Sequence, residues 1–271
     1  MRTIAVVNLK GGSGKTTTAL SLAVGMSQRL PKRGRVLLVD GDSQGNATHT
    51  MLEGEAPGSP TLTDVLLGEA GITGAIRPTR IARLDLLPSD SALADCTVLL
   101  ANEIGREGLL RKAFRDVEGD YAACIVDAPP QLSLVTVNIL KAVSELLVPI
   151  DVGLYSIIGL GRLRETVTQV KERLEHPDLA IIGLFINRST NTKASKRLEK
   201  DLRDAYGDLV YRTVIPNSTH VEEALSEYRT VLEWDPSCPV SSAFSDLVEE
   251  VMNGQSKKRR SRRANSADNA A

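Results

Sequence analysis

Thr3-Ile4-Ala5-Val6-Val7-Asn8-Leu9-Lys10-Gly11-Gly12-Ser13-Gly14-Lys15-Thr16-Thr17 runs from an apolar strand-like segment through a glycine-rich turn into a helix-like one. That order suits an anion site. Glycines let successive backbone N–H groups turn toward one anion, and the following helix N-terminus adds its positive dipole end. Lys15 supplies a point charge for the β/γ-phosphates of a nucleotide, and the Thr16 hydroxyl stands where a Mg²⁺ ligand is needed. The general pattern G-x-x-x-x-G-K-[ST] has a glycine where this chain has Leu9, and Lys10 opens the loop instead. A solvated lysine beside a chance glycine cluster is the bland alternative. It does not explain why strand, loop, Lys-Thr and helix fall in register.

Outward from this stretch, strand-like runs are expected at Thr3–Asn8, Val36–Asp40, Leu84–Pro88, Ala122–Asp127, Glu145–Ile150, Ala180–Asn187 and Val210–Ile215. Several, such as Val36–Val39 and Ala180–Ile186, are continuous apolar runs rather than alternating ones. That suits strands covered on both faces, as in a parallel sheet between helices. Helix-like stretches are expected at Thr16–Leu30, Arg162–Glu175, Ala194–Tyr206 and Phe244–Met252, with a loop at residues 53–60. The alternation points to an α/β fold, a doubly wound and mostly parallel sheet flanked by helices, over residues 1–253.

Two further segments carry acids at strand ends. Val36–Asp40 is followed by Gly41-Asp42-Ser43-Gln44-Gly45-Asn46, and Cys124-Ile125-Val126 ends in Asp127-Ala128-Pro129-Pro130. Carboxylates at the carboxyl end of a strand beside a phosphate loop can hold metal-bound and nucleophilic waters.

With these three motifs the chain resembles the deviant Walker-A ATPases, a branch of the P-loop NTPases, and within them the ParA/Soj partition proteins. Their loop reads K-G-G-x-G-K-T-[ST], followed by D-x-D-P-Q-G-N and D-x-P-P; Ser43 replaces the proline of the second motif. The resemblance implies ATP and Mg²⁺ as ligands, with Lys10, Gly11, Gly12, Ser13, Gly14, Lys15, Thr16 and Thr17 around the phosphates. It implies that Lys10 reaches phosphates bound by a second subunit, so that ATP joins a homodimer. Asp42 would orient the attacking water, while Thr16, Asp40 and Asp127 serve the metal; Lys10, Lys15 and Asp42 are the catalytic candidates. Asn187 and Pro216 would lie at the adenine, although Asn187 fits a strand-end turn residue equally well. Where many relatives carry Gln-x-Glu-Tyr after Val148-Pro149, this chain has Ile150-Asp151-Val152-Gly153-Leu154-Tyr155, and no role is assigned to Asp151.

Composition narrows the alternatives. The 271 residues are 42% hydrophobic, 25% charged and only 3% aromatic, which describes a soluble protein with an aliphatic core. Cys96, Cys124 and Cys238 form no C-x-x-C pair, so a disulfide framework, a zinc site and a cysteine-ligated iron–sulfur cluster are unsupported. No apolar stretch reaches 18 residues and no signal-like leader opens the chain, so a cytoplasmic location is expected. The chain opens on its first strand, without the helix-turn-helix extension of larger ParA proteins, so operator binding is not expected.

Net charge is −1 but unevenly spread. Residues 254–271 hold six basic side chains and one acid, for a net of +5, and 27 basic against 33 acidic residues leave the remainder at −6. Such a tail cannot bury enough to fold and is expected to be disordered. Lys193, Lys196, Arg197, Lys200 and Arg203 form a candidate stripe for non-specific DNA, since four of the five recur at helical spacing. A solvated helix face with Glu199 and Asp201 mixed in is the alternative.

The resemblance then implies a slow ATPase whose ATP dimer binds nucleoid DNA and is released when a ParB-like centromere-binding partner stimulates hydrolysis. The outcome would be segregation of a plasmid or chromosome. A MinD-like membrane ATPase, another positioning ATPase, and a nucleotide-gated scaffold with negligible hydrolysis are the alternatives. The tail lacks the bulky apolar face of an inserting amphipathic helix, so membrane insertion is not expected.

Overall fold

The computed structural model describes residues 1–151 and 154–268, with side chains described at 1–151 and 159–254. Eight strands form one sheet: β1 (Arg2–Val6), β2 (Val36–Asp40), β3 (Arg77–Pro78), β4 (Leu84–Leu87), β5 (Ala123–Asp127), β6 (Glu145–Asp151), β7 (Ala180–Ser189) and β8 (Val210–Pro216). Their spatial order is β3-β4-β2-β5-β1-β6-β7-β8, and every pairing is parallel except β3 with β4.

The period of two along each strand divides the core. Ala5, Leu37, Val39, Cys124 and Val126 face one layer, and Ile4, Val6, Val36, Leu38 and Ile125 face the other. Helices Leu62–Leu67, Leu109–Arg115, Leu134–Ala142, Leu154–Arg173 and Lys193–Tyr206 cover the first layer. Helices Lys15–Arg29 and Pro239–Asp268 cover the second. Phe244, Leu247, Val248 and Val251 of the last helix are buried there, each worth about 1.5–3 kcal/mol on transfer from water. The two helices touch at Gly25, where an added Cβ would lie 2.6 Å from Val248 Cγ2.

Strand expectations agree with the structure to within two residues, and the two-residue edge strand β3 is an addition. The short helices, such as Asn46–Met51 and His220–Ser226, leave no clear sequence signal, because a six- or seven-residue helix presents less than two turns of apolar period. Helix Leu154–Arg173 begins well before Arg162; Gly159 and Gly161, readable as breaks, sit inside it. The final helix starts at Pro239, a residue suited to a first turn, and continues past residue 253 to Asp268. Within the segment expected to be disordered, the backbone of residues 254–268 is helical. Extending a helix from a packed anchor needs one hydrogen bond per residue, and Gln, Lys and Arg are good helix formers. Lys257, Lys258, Arg259, Arg260, Arg262 and Arg263 have side chains outside the described set. Among the described residues no helix is long and apolar enough to cross a membrane.

Candidate nucleotide site

Strands β2, β5 and β1 lie side by side at the middle of the sheet, and all end on the same rim. Chain connections leave this region in opposite directions, the place where parallel α/β sheets open a crevice for ligands. Register does the rest. Asp40 stands opposite Asp127, and Asp127 opposite Val6, the last residue of β1, with Val7, Asn8 and Leu9 between it and the loop that opens at Lys10.

The loop is held from several sides. Gly12 and Gly14 have φ of 71° and 83°, a region that costs a residue with a Cβ about 1–2 kcal/mol. At Gly14 a Cβ would also lie 2.1 Å from Asn187 Nδ2, so that amide would have to move. That amide donates to Ser13 O at 2.8 Å, and Arg188 Nη1 donates to Gly12 O at 3.1 Å. Asn8 pins the near end: its Nδ2 donates to Pro149 O at 2.7 Å, and its Oδ1 accepts from Lys10 N at 3.0 Å.

Lys15 begins the helix Lys15–Arg29 and is buried, with Nζ donating to Lys10 O at 3.2 Å. Burial pulls its ammonium below the ordinary lysine range, against the opposing pull of Asp127 and Asp42. Asp40 is fully buried and its oxygens are engaged. Oδ2 accepts from Thr48 N and Thr48 Oγ1, both at 2.7 Å, and Oδ1 accepts from Asp42 N at 3.2 Å. Burial still pushes it up to about 6.

Asp127 is different. It is 1% exposed, and neither carboxylate oxygen has a hydrogen-bond partner. Burial, then the nearby Asp40, pushes it well above the usual carboxylate range; the Thr16 hydroxyl, then the Lys15 charge, draw it part of the way back. The Ser13 hydroxyl is likewise buried and unpartnered. An unpaired buried carboxylate is costly unless a cation meets it. Two free hard oxygens next to a Thr hydroxyl and a phosphate-type loop fit a divalent cation of the Mg²⁺ kind.

A cleft of about 570 Å³ opens over these groups. It is lined by residues 11–17, Asp42, Pro130, Asn187, Arg188 and residues 215–218, and continues to His49, Glu222 and Tyr228. Asn187 and Pro216 stand on the cleft wall. Asp42 lines it too, with its Oδ1 accepting from Gln44 N at 3.1 Å.

Lys10 turns away from its own cleft. Its Nζ donates to Asp151 Oδ1 at 2.9 Å and Oδ2 at 2.7 Å, so the aspartate given no role in the sequence is the lysine's partner. Arg188 and Asp151 were not legible as neighbours of the loop, because two distant strand ends, β7 and β6, bring them to it.

In helix Lys193–Tyr206, Ser195, Leu198 and Leu202 face inward, and Lys193, Lys196, Arg197 and Lys200 are exposed on the opposite side. Arg203 departs from the stripe. It bonds Glu199 Oε1 at 3.0 Å and Tyr211 O at 3.1 Å, which ties the helix to β8.

A family model described as "AAA domain" matches residues 1–181. The chain is 35% identical over 255 residues to the chromosome partitioning protein ParA of Caulobacter vibrioides, covering 93% of this chain and 94% of that protein. It is 38% identical over 253 residues to the chromosome-partitioning ATPase Soj of Thermus thermophilus, covering 93% and 96%. Among solved structures, a cobyrinic acid a,c-diamide synthase from Mycobacterium smegmatis with a bound ATP analogue and magnesium superposes with a TM-score of 0.79 at 28% identity, covering 94% and 96%.

Proposed function

The chain belongs to the ParA/Soj family of chromosome-partitioning P-loop ATPases, and from that premise we propose that it is an ATP-switched dimer that segregates DNA. The observation that supports the Mg-nucleotide site in this reading is Asp127, buried at the end of β5 with both oxygens unpaired, beside Thr16 and Lys15 at the glycine loop. ATP would lie along the loop. The amides of residues 11–16 and the Lys15 ammonium would bind its phosphates, with the base toward Asn187 and Pro216. Mg²⁺, held by the Thr16 hydroxyl and by Asp127, would neutralise charge on the β/γ oxygens.

Asp40 is best read as the support of this arrangement. Its bond from Asp42 N fixes the turn that aims Asp42 into the cleft, and Thr48 keeps it from rotating. Asp42, half-exposed on the cleft wall, would orient the attacking water and accept its proton. Lys10 would reach the phosphates of the second subunit, so that two sites close together and the dimer lasts as long as ATP does.

The exposed face of Lys193, Lys196, Arg197 and Lys200 would meet DNA phosphates without reading bases. A ParB-like partner would stimulate hydrolysis and release, leaving the protein nucleoid-associated while ATP is bound. Residues 1–253 form the working ATPase unit in this reading, and 254–271 an added basic segment.

Co-sedimentation with non-specific DNA and with anionic liposomes, each with ATP and with ADP, tests the proposal. ATP-dependent DNA binding without liposome binding is expected. Liposome binding without DNA binding would move the protein to membrane positioning.

A further inference from the structure

The start of the glycine loop is fastened to the end of β6 by two contacts, Asn8 Nδ2 to Pro149 O and Lys10 Nζ to both oxygens of Asp151. The second contact occupies the Lys10 ammonium. Two of its three N–H bonds point into its own subunit, at 2.7 and 2.9 Å. Asp151 is held in place as the last residue of β6, opposite Asn187 of β7. Its side chain is 14% exposed and that of Lys10 36%. The carboxylate is thus fixed by the sheet, whereas the lysine lies on the surface and is able to leave.

We propose that Asp151 parks Lys10 in the free subunit, acting as a positioning residue that opposes dimer formation until a nucleotide-bound second subunit draws the lysine away. The inference rests on the reading that Lys10 acts across the interface. A lysine gripped by both oxygens of its own aspartate does not also span to a neighbour's phosphates, so one ion pair per subunit breaks as the dimer closes. Half-exposed pairs of this kind are weak, which makes the brake small and reversible. It raises the threshold for pairing without preventing it. Because two pairs break per dimer, their effects multiply.

The test is Asp151→Asn in the full chain, which keeps the shape and a carbonyl acceptor but removes the charge. Dimerisation is measured by sedimentation velocity with Mg²⁺ and a non-hydrolysable ATP analogue. About a three-fold gain per subunit, hence about ten-fold tighter dimerisation (~1.4 kcal/mol), is expected at low salt and shrinks as salt rises. Thermal melting of the nucleotide-free Asp151→Asn chain should show no gain in stability, which a general effect on folding would produce. Unchanged or weaker dimerisation of Asp151→Asn, or a gain matched by higher thermal stability, would overturn the proposal. A Lys10→Ala chain that dimerises like its parent would instead defeat the cross-subunit reading beneath it, so the two failures are distinct.

Discussion

Replacing Asp127 by Asn should make the protein more stable and inactive at once. The Asp127 carboxylate is buried with no hydrogen-bond partner, and burial and Asp40 both disfavour its ionised form. A buried polar group left unpaired costs about 1–3 kcal/mol, more when charged. Asn removes the charge and keeps the shape, so a gain of about 2 kcal/mol is expected near neutral pH. For a chain of this size that corresponds to ~4–8 °C in Tm.

The pH dependence follows from linkage. The folded-state pKa of Asp127 is raised above its unfolded value, so the wild type loses stability as pH rises from the unfolded pKa through the folded one. The variant has no such group. The difference in Tm should be largest well above the folded pKa and should shrink as the medium is acidified. Differential scanning calorimetry without nucleotide, at several pH values, reads this directly. The same melts with Mg·ATP should show a large upward shift for the wild type and little for the variant, because binding to the folded state stabilises by mass action. A variant that melts at or below the wild type at neutral pH, or a pH-independent gap, would refute the claim that this carboxylate is kept unpaired for a cation.

Other expectations are more direct. Lys15→Ala should abolish ATP binding in a titration, because no other described ammonium lies buried at the loop; tight residual binding would count against the loop assignment. Asp42→Ala should preserve ATP-dependent dimers while phosphate release stops, and unchanged turnover would remove Asp42 from its role. Gly14→Ala should lose nucleotide affinity and about 2 kcal/mol or more of stability, from its φ of 83° and the clash with Asn187. Replacing Lys193, Lys196 and Lys200 by Ala should weaken DNA binding and lower the log–log salt slope by about 3. Arg203→Ala should leave that slope unchanged and lower thermal stability instead, since Arg203 is bonded to Glu199 and the carbonyl of Tyr211.

Local features of the site were readable from the chain because each is a short pattern with a physical meaning. The strand before Lys10, the glycines and Lys15-Thr16 together name a phosphate loop, and the apolar runs ending at Asp40 and Asp127 name buried strands. What brings the two acids together is β5 lying between β1 and β2, a consequence of topology rather than of residues near either one. Likewise nothing around Asp40 says that Thr48 will take one of its oxygens, leaving Asp127 as the carboxylate with free ones. Helical spacing placed Arg203 with the basic stripe, but spacing cannot tell that β8 carbonyls and Glu199 lie within its reach. Asp151 was invisible for the same reason. Its meaning depends on a lysine 141 positions earlier in the chain.

The central claim is that ATP joins two copies through Lys10, and sedimentation velocity on the Asp42→Ala chain with Mg·ATP tests it most directly. Dimers with ATP, monomers with ADP, and monomers under both nucleotides once Lys10→Ala is added are the predicted result. A chain that stays monomeric with ATP, or one that dimerises equally well without Lys10, would contradict it.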